Sequence, residues 1–547
     1  MKNYFYAIFA PLLAFMGACS SQSAADLIVY NAQIYTVDST FSKATALAVK
    51  DGKFVAIGDS ATVFAKYQSD SLLNAQNKPL YPGFYDGHAH FYGLGQMLDQ
   101  ADLVGAASAT EAVQRLQKYQ AAHPDRVWLI GRGWDQNDWQ IKTFPTKEML
   151  DKAFPDQPVY LTRVDGHAAW VNSKALQLAQ ITAKSKVEGG LVELDKDGQP
   201  TGILVDNAMR LARTANPKPT PAEMRAALLK AQEVCFEYGL TNVGDAGLSP
   251  EIIDLIDQMH QDKTLKIRLY AMVSLSPENV DLYLKKGVYQ TDRLNVRSFK
   301  IYADGALGSR GACLLKPYND APSTGFLLLS PKELETYVAK IANSDFQANT
   351  HCIGDSANRL MLNLYAKYLK KDNNRRWRIE HAQIVNPADV PTFKNYRIIP
   401  SVQPTHATSD MYWASDRLGA ERARHGYAFK ELYAQNQLIT FGTDFPVEPV
   451  SPFYTFHSAV FRQDAKGYPA SGYQMENALD RATTLRGMTI WAAYGNFEEA
   501  RRGSIEVGKD ADFVILEKDL MTAPAAELRD IRAKKTYVAG QKVFDRP

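Results

Sequence analysis

The sequence predicts an α/β protein in which a TIM-like (β/α)8 barrel with an inserted subdomain is joined to a small β-sandwich domain built from both chain termini. The middle of the 547-residue chain alternates strand-like apolar runs with stretches of helical periodicity, which is typical of βα units and a parallel sheet. Eight such runs occur, the number that closes a barrel. Both ends of the chain instead carry short alternating strands separated by turn residues.

The eight barrel runs are short, and each ends in polar residues. They lie at 80–84, 241–244, 267–273, 298–302, 347–350, 377–380, 398–402 and 438–442. Segments with helical periodicity lie between several of them, at 221–238, 331–343 and 356–369. Thr220 stands where the cap of the first of these helices is expected.

The domain boundaries follow from the same patterns. About 150 residues separate the first barrel run from the second, which is far too long for a βα loop. This segment has strand-like pieces of its own, so we expect an inserted subdomain that covers or lines the pocket. The predicted boundaries are 26–79 and 501–547 for the two parts of the sandwich, 80–500 for the barrel, and about 100–220 for the insertion.

The first 18 residues have the layout of a bacterial secretory signal, with Lys2 before an apolar run that ends in small residues. The run is too short to span a membrane as a helix. It ends at Met16 and two small residues before Cys19, which resembles a lipobox and predicts that Cys19 becomes the lipidated N-terminus. Leu is usual where Met16 stands, so plain signal cleavage is the alternative. The expected location is the bacterial cell envelope, as a periplasm-facing lipoprotein or a secreted protein.

The composition is that of a globular protein with a small-molecule partner. The chain is 46% apolar and 22% charged, and its 62 basic and 60 acidic residues are spread along it, so no basic stripe indicates nucleic-acid binding. Membrane contact is expected only through the N-terminal lipid anchor, and a homodimer is left open. The remaining three cysteines lack CxxC spacing, so neither a disulfide framework nor a thiolate zinc site is indicated.

Candidate metal ligands follow several of the barrel runs, where the functional residues of such barrels lie. Four of the ten histidines are among them. Imidazole nitrogens and carboxylate oxygens suit zinc and related divalent metals. Each histidine taken alone is more often a hydrogen-bonded structural residue, but together they predict a metal site. The candidates are His88 and His90 in PGFYDGHAH, Lys300 in FKIYADG, His351 in THCIGD, His381 in RIEHAQ and Asp444 in GTDFP.

These motifs, with SVQPTH and the closing GSIEVGKDADFVIL, resemble the amidohydrolase superfamily, and within it the amidohydrolase family 3 group that includes YtcJ-like proteins and N-substituted formamide deformylases. The resemblance covers the chain from about residue 26 to the C-terminus. It implies one or two divalent ions, with zinc expected. It assigns the ligands as follows: His88 and His90 to one metal, His351 and His381 to the other, Asp444 to metal binding and proton transfer, and Lys300 to an N6-carboxylysine that bridges the metals.

Two points of this assignment stay open at the level of the sequence. Lys300 could instead form an unmodified ion pair with Asp304 or Asp444. Four further residues are predicted to bind substrate: His167, Trp134, His406 and Arg310. Each has a structural alternative: a hydrogen-bonded structural role for both histidines, a place in the core for the tryptophan, and a surface salt bridge for the arginine.

The expected activity is cleavage of a non-peptide C–N bond, in an amide, formamide or cyclic amide, by a metal-activated water with Asp444 as the proton shuttle. Hydrolysis of an ester or lactone is the alternative, because the same water attacks either carbonyl. A non-catalytic envelope binding protein on the same fold is a further alternative. The sequence has no GxSxG elbow and no GxGxxG after a strand near its start, so serine hydrolase and dinucleotide chemistry are not indicated.

Overall fold

The computed structural model describes Met1 and residues 22–547. The signal segment and Cys19 lie outside the described residues, so lipidation and the envelope location stay predictions. Within the described part of the chain, no helix combines the length and the apolar character that a membrane crossing requires.

Eight parallel strands form a nearly closed barrel and follow one another in chain order, which confirms the predicted fold. A short strand, Tyr289–Gln290, is added to it in antiparallel orientation. The barrel strands are β1 (Phe84–Ala89), β2 (Leu240–Leu248), β3 (Arg268–Ser274), β4 (Leu294–Tyr302), β5 (Gln347–Cys352), β6 (Arg378–His381), β7 (Ile399–Val402) and β8 (Thr440–Phe441).

Residues just beyond β8 join it to β1. The backbone N–H of Asp444 donates to the carbonyl oxygen of His88 at 2.9 Å, and that of His90 donates to the carbonyl oxygen of Phe445 at 2.7 Å. The buried Asp86 carboxylate accepts the Thr443 hydroxyl at 2.7 Å. The first and last predicted metal ligands therefore meet where the two ends of the sheet join.

The helices around the barrel begin at the signals that their sequences carry. Thr220 forms a capping box with Glu223 and precedes Pro221 at the first helical position. The three predicted helices are found within one residue at each end. The helices that accompany the barrel strands are Phe91–Met97, Pro221–Glu237, Pro250–Gln261, Pro277–Lys286, Pro331–Ala342, Asp355–Tyr368, Pro391–Asn395, Pro404–Asp410, Ala414–Ala423, Phe429–Asn436, Pro452–Phe461, Arg481–Gly487 and Ile490–Gly495.

The prediction for the first barrel strand was wrong. Pro79–Pro82 belongs to the sandwich, where Leu80 lies opposite Ile515 in an antiparallel pair, and β1 begins only at Phe84. One continuous apolar run supplies two sheets, and apolar character alone does not show where the chain passes from one to the other. As a consequence His88 lies inside β1.

Segments from both ends of the chain form two sheets that pack face to face. Buried residues from the N-terminal part, including Val29 and Phe54, share one core with Ile505 and Phe513 from the C-terminal part. The first sheet has the order Lys53–Gly58, Ala46–Lys50, Leu27–Tyr30, Leu72–Asn74, and the second Gln541–Asp545, Ala533–Val538, Phe513–Leu516, Pro79–Pro82, Gln33–Tyr35, Lys43–Ala44. Smaller elements of this part are Ser23–Ala24, Tyr67–Gln68 and the helix Ser60–Lys66.

The inserted segment forms a six-stranded mixed sheet with a hydrophobic core on each face. His167 lies in the turn between two of its strands, and Asp206 ends another. The strand order is Ala101–Asp102, Leu129–Trp134, Val159–Arg163, Ala168–Val171, Pro200–Asp206, Gly190–Leu194, and the helices are Ala109–Ala122, Lys147–Ala153, Ser173–Leu178 and Met209–Arg213.

Buried ion pairs join the barrel to the segment that leads into the sandwich. Arg268 at the start of β3 donates from Nε to Asp512 at 2.7 Å. Arg502 lies 2.7 Å from Glu498 and 3.3 Å from Asp510, and all three side chains are almost fully buried. The barrel is thus joined to this segment by charges that are almost fully buried.

Replacing Arg502 by Met is expected to lower the free energy of unfolding by about 3–5 kcal/mol, because the buried Glu498 would lose the one cation that pairs with it among the described residues. Urea denaturation of both proteins measures the change. Arg225→Met is the matched control, since Arg225 pairs with Asp262 at the surface and its loss is expected to leave the midpoint unchanged. Equal midpoints for Arg502→Met and the unsubstituted protein would contradict the prediction.

Candidate active site

His88 lies at the centre of the site, fully buried on β1. Its Nδ1 is 2.5 Å from Oε2 of Glu380 on β6. Its Nε2 is 2.8 Å from Nζ of Lys300 on β4 and 3.5 Å from Oδ1 of Asp444. One ring nitrogen therefore faces a buried carboxylate, and the other faces the predicted ligands at the barrel mouth.

His90 completes a group of donor atoms with His88 and Asp444. Its Nε2 lies 3.1 Å from Oδ1 of Asp444, and one donor atom from each of the three residues lies within 4.8 Å of the other two. Among the described residues, the buried Oδ1 of Asp444 has no hydrogen-bond partner. Two imidazole nitrogens beside a buried carboxylate oxygen that lacks a hydrogen-bond partner fit a divalent metal such as zinc.

His351 and His381 lie beside this group. Their rings are 4.5 Å apart, and the ring of His381 is 5.0 Å from that of His88. Nδ1 of His381 is 2.7 Å from Oε1 of Gln403, and Nε2 of His351 is 3.3 Å from the backbone oxygen of Gly305. The structure thus brings together all four histidines that the sequence singled out.

Lys300 does not form the ion pair that the sequence left open. Within residues 22–547, no carboxylate lies within 4.0 Å of its Nζ. Asp304 instead accepts the backbone N–H groups of Cys313, Ile353 and Gly354 at 2.8 to 3.0 Å. Nζ is therefore turned toward His88 and the mouth.

Burial sets the protonation of these groups. It lowers the pKa of His88 to about 4, and it holds the pKa values of His351 and His381 well below their usual range, so the imidazoles are neutral as metal ligands must be. Burial also lowers the pKa of Lys300 to about 8. Burial acts in the opposite direction on Asp444, but the adjacent His90 holds the pKa of this carboxyl well below its usual value.

Three residues at the mouth have left-handed backbone conformations. The φ angles are +50° at Asp206, +69° at His381 and +61° at Asp444. Each such non-glycine residue costs about 1–3 kcal/mol and persists only where its surroundings fix it. The hydrogen bond from the Asp444 backbone to His88 is one such constraint.

The inserted subdomain contributes His167 to the mouth. Its Nδ1 is 2.5 Å from Oδ1 of Asp206, and its ring is 5.1 Å from that of His351. His406, which follows β7, has its Nε2 3.9 Å from Oδ2 of Asp444 without a hydrogen-bond partner among the residues described. Both histidines lie beside the candidate ligands, and substrate binding by them stays a prediction.

The other two predicted substrate residues have the contacts of their structural alternatives. Trp134 is fully buried in the core of the insertion, where its Nε1 donates to Leu161 at 2.9 Å. The Arg310 guanidinium forms a salt bridge with Asp320 at 2.9 Å. These contacts give no support to substrate binding by Trp134 or Arg310, which stays a prediction.

Sequence reasoning missed the residues that orient the histidines, namely Glu380, Gln403 and Asp206. Arg378 and Glu380 gave a usable signal, because two opposite charges at alternate positions of a short apolar strand point to the same side of the sheet. A charged pair on the interior side of a barrel strand needs partners there. Gln403 and Asp206 carried no comparable local signal.

A (β/α)8 barrel that gathers histidines and an aspartate at its mouth suits metal-dependent hydrolysis. The chain matches the family model described as Amidohydrolase family over residues 71–544 and belongs to this family. The protein named "Putative amidohydrolase YtcJ" from Bacillus subtilis (strain 168) is 32% identical over 520 residues, which cover 94% of this chain and 98% of that protein.

Two further similarities extend over almost the whole chain. N-substituted formamide deformylase from Arthrobacter pascens is 25% identical over 546 residues, covering 95% of this chain and 98% of that protein. The crystal structure of an uncharacterized metal-dependent hydrolase from Pyrococcus horikoshii OT3 superposes with a TM-score of 0.74 at 29% identity, covering 91% of this chain and 99% of that one. The protein is therefore a hydrolase of the amidohydrolase type.

Proposed function

We propose that the protein hydrolyses a non-peptide C–N bond of a small molecule, in an amide, formamide or cyclic amide. The observation that carries the proposal is the Asp444 carboxylate beside His88 and His90 at the barrel mouth, with one ligand atom of each residue within 4.8 Å of the other two. The similarity to N-substituted formamide deformylase supports the choice of bond.

The chain offers two groups of ligands for divalent metal, for which we propose zinc. His88, His90 and Asp444 would hold one ion, and His351, His381 and an N6-carboxylated Lys300 would complete a second position. Such a metal supplies Lewis acidity, which polarises a carbonyl group and lowers the pKa of water. The position of Nζ beside His88, inside the site and without an ion pair to any described residue, supports the modification of Lys300.

The chain's own groups handle the protons. Asp444 accepts a proton from the attacking water and returns it to the leaving nitrogen, because an unprotonated amine leaves poorly. We propose that His406, whose Nε2 lies 3.9 Å from Oδ2 of Asp444, hydrogen-bonds the substrate near the reacting carbonyl. His167, oriented by Asp206, lines the side of the mouth that the insertion supplies.

Matched amide and ester substrates test this proposal. For the zinc-loaded protein, the rate enhancement over the uncatalysed reaction should be larger for the amide by about 10²–10⁴, since only the amide depends on protonation of its leaving group. Formamides, N-acyl amines, cyclic amides, esters and lactones with the same acyl group form the panel. Turnover of esters or lactones without amides would favour the alternative activity. Binding without turnover would favour a binding protein.

A further inference from the structure

The imidazole of His88 is held from both sides inside the barrel. Nδ1 is 2.5 Å from Oε2 of Glu380, and Nε2 is 2.8 Å from Nζ of Lys300. The second oxygen of Glu380 accepts from Nε of Arg378 at 2.6 Å. The side chains of His88, Glu380 and Arg378 are fully buried.

The donors and acceptors in this chain of contacts have only one consistent arrangement. A guanidinium group only donates hydrogen bonds, and the carboxylate paired with it only accepts them. Arg378 is itself fixed, because its Nη1 donates to Oδ1 of Asn496 at 2.6 Å. Nδ1 of His88 must therefore carry the hydrogen that Glu380 accepts, which leaves the lone pair on Nε2.

We infer that Glu380, fixed by Arg378, is a positioning residue that sets the tautomer of His88 and so directs the Nε2 lone pair toward the metal position. The inference rests on the proposed metal-dependent function. Acceptors behind metal-binding histidines commonly fix the ring and its tautomer in this way. Gln403 contacts His381 in a similar way, but the Nε2 of Gln403 has no hydrogen-bond partner in the described part of the chain. Glu380 differs because Arg378 pairs with its carboxylate, so that Glu380 can only accept a hydrogen bond from His88.

Glu380→Gln tests the inference with almost no change of shape. The glutamine oxygen must face Arg378, which can only donate, so the amide nitrogen faces Nδ1 of His88 as a donor. His88 would then carry its hydrogen on Nε2, where it blocks metal binding. The zinc affinity of the full-length protein, measured by competition with a chromophoric chelator, is expected to fall about 10–100-fold.

The double variant Arg378→Met/Glu380→Gln tests whether Glu380 sets the tautomer of His88 or has only a structural role. Without the donor on Arg378, the amide is free to turn its oxygen to His88, so the zinc affinity should recover toward that of the unsubstituted protein. A purely structural role predicts that a second change in the barrel interior weakens zinc binding further. Equal affinity of Glu380→Gln and the unsubstituted protein would also overturn the inference.

A readout without metal keeps this test apart from the proposed function. In histidine-labelled, metal-free protein, the ¹⁵N spectrum reports which nitrogen of His88 carries hydrogen. We expect the hydrogen on Nδ1 in the unsubstituted protein and on Nε2 in Glu380→Gln; the same tautomer in both would overturn the inference. If the tautomers differ but the unsubstituted protein binds no zinc, the metal-dependent function fails while the role of Glu380 stands.

Discussion

Asp444→Asn should lower kcat for amide hydrolysis by about 10²–10⁴ at saturating zinc, because the asparagine amide neither accepts the proton from water nor returns it to the leaving nitrogen. Asp444 is buried, and among the described residues it is the one carboxylate in the group formed with His88 and His90. Steady-state kinetics with metal content measured on the same sample checks this expectation.

The matched control is Asp254→Asn, which makes the same chemical change on the exposed face of the helix Pro250–Gln261. It should leave kcat unchanged. Asp444→Asn with undiminished kcat would remove Asp444 from the mechanism. A loss of activity that follows loss of zinc, and that returns fully when zinc is raised, would reduce Asp444 to a ligand without a proton-transfer role.

Removal of divalent metal should abolish hydrolysis and lower thermal stability, and both should return on addition of zinc. His88, His90 and Asp444 place one ligand atom each within 4.8 Å of the others, which suits a divalent ion. An ion that binds only the folded state stabilises it by about 4 kcal/mol at a thousand times its Kd. Activity and the unfolding temperature are measured after treatment with chelator and again after zinc. Hydrolysis that persists without metal would contradict the proposal.

Magnesium is the control ion, because it prefers oxygen ligands and should not restore activity at a site rich in imidazole. The number of zinc ions that return, with bicarbonate present, tests the role given to Lys300. Two ions are expected for the unsubstituted protein and one for Lys300→Ala. A single ion in both proteins would remove the bridging carbamate while leaving hydrolysis at His88, His90 and Asp444 in place.

The sequence alone predicted the barrel and much of its surroundings. Runs of apolar residues between helical segments placed seven of the eight barrel strands near their observed positions, and Thr220 marked the start of its helix. These features depend on near neighbours in the chain, since periodicity and capping act over a few residues. The candidate ligands followed from the same reasoning, because functional residues of parallel barrels lie where the strands end.

The boundary of the first strand required the tertiary structure. The stretch from Pro79 to Ala89 is apolar nearly throughout, and only its pairing with Phe513–Leu516 on one side and β2 on the other divides it between two domains. The contacts of Trp134 and Arg310 were likewise decided by packing, because a buried tryptophan or a paired arginine has the same local sequence whether or not a pocket lies beside it.

By itself, the sequence determined which chemical groups the site would contain and on which strands they would lie. The tertiary structure decided how those groups face one another: Glu380 behind His88, 292 positions apart in the chain, Asp206 behind His167, and the left-handed backbone that turns Asp444 toward His90. The physical reason is one of range. Strands and helices follow from residues close together in the sequence, whereas the direction of a donor atom follows from barrel closure and from buried charges that must find partners across it.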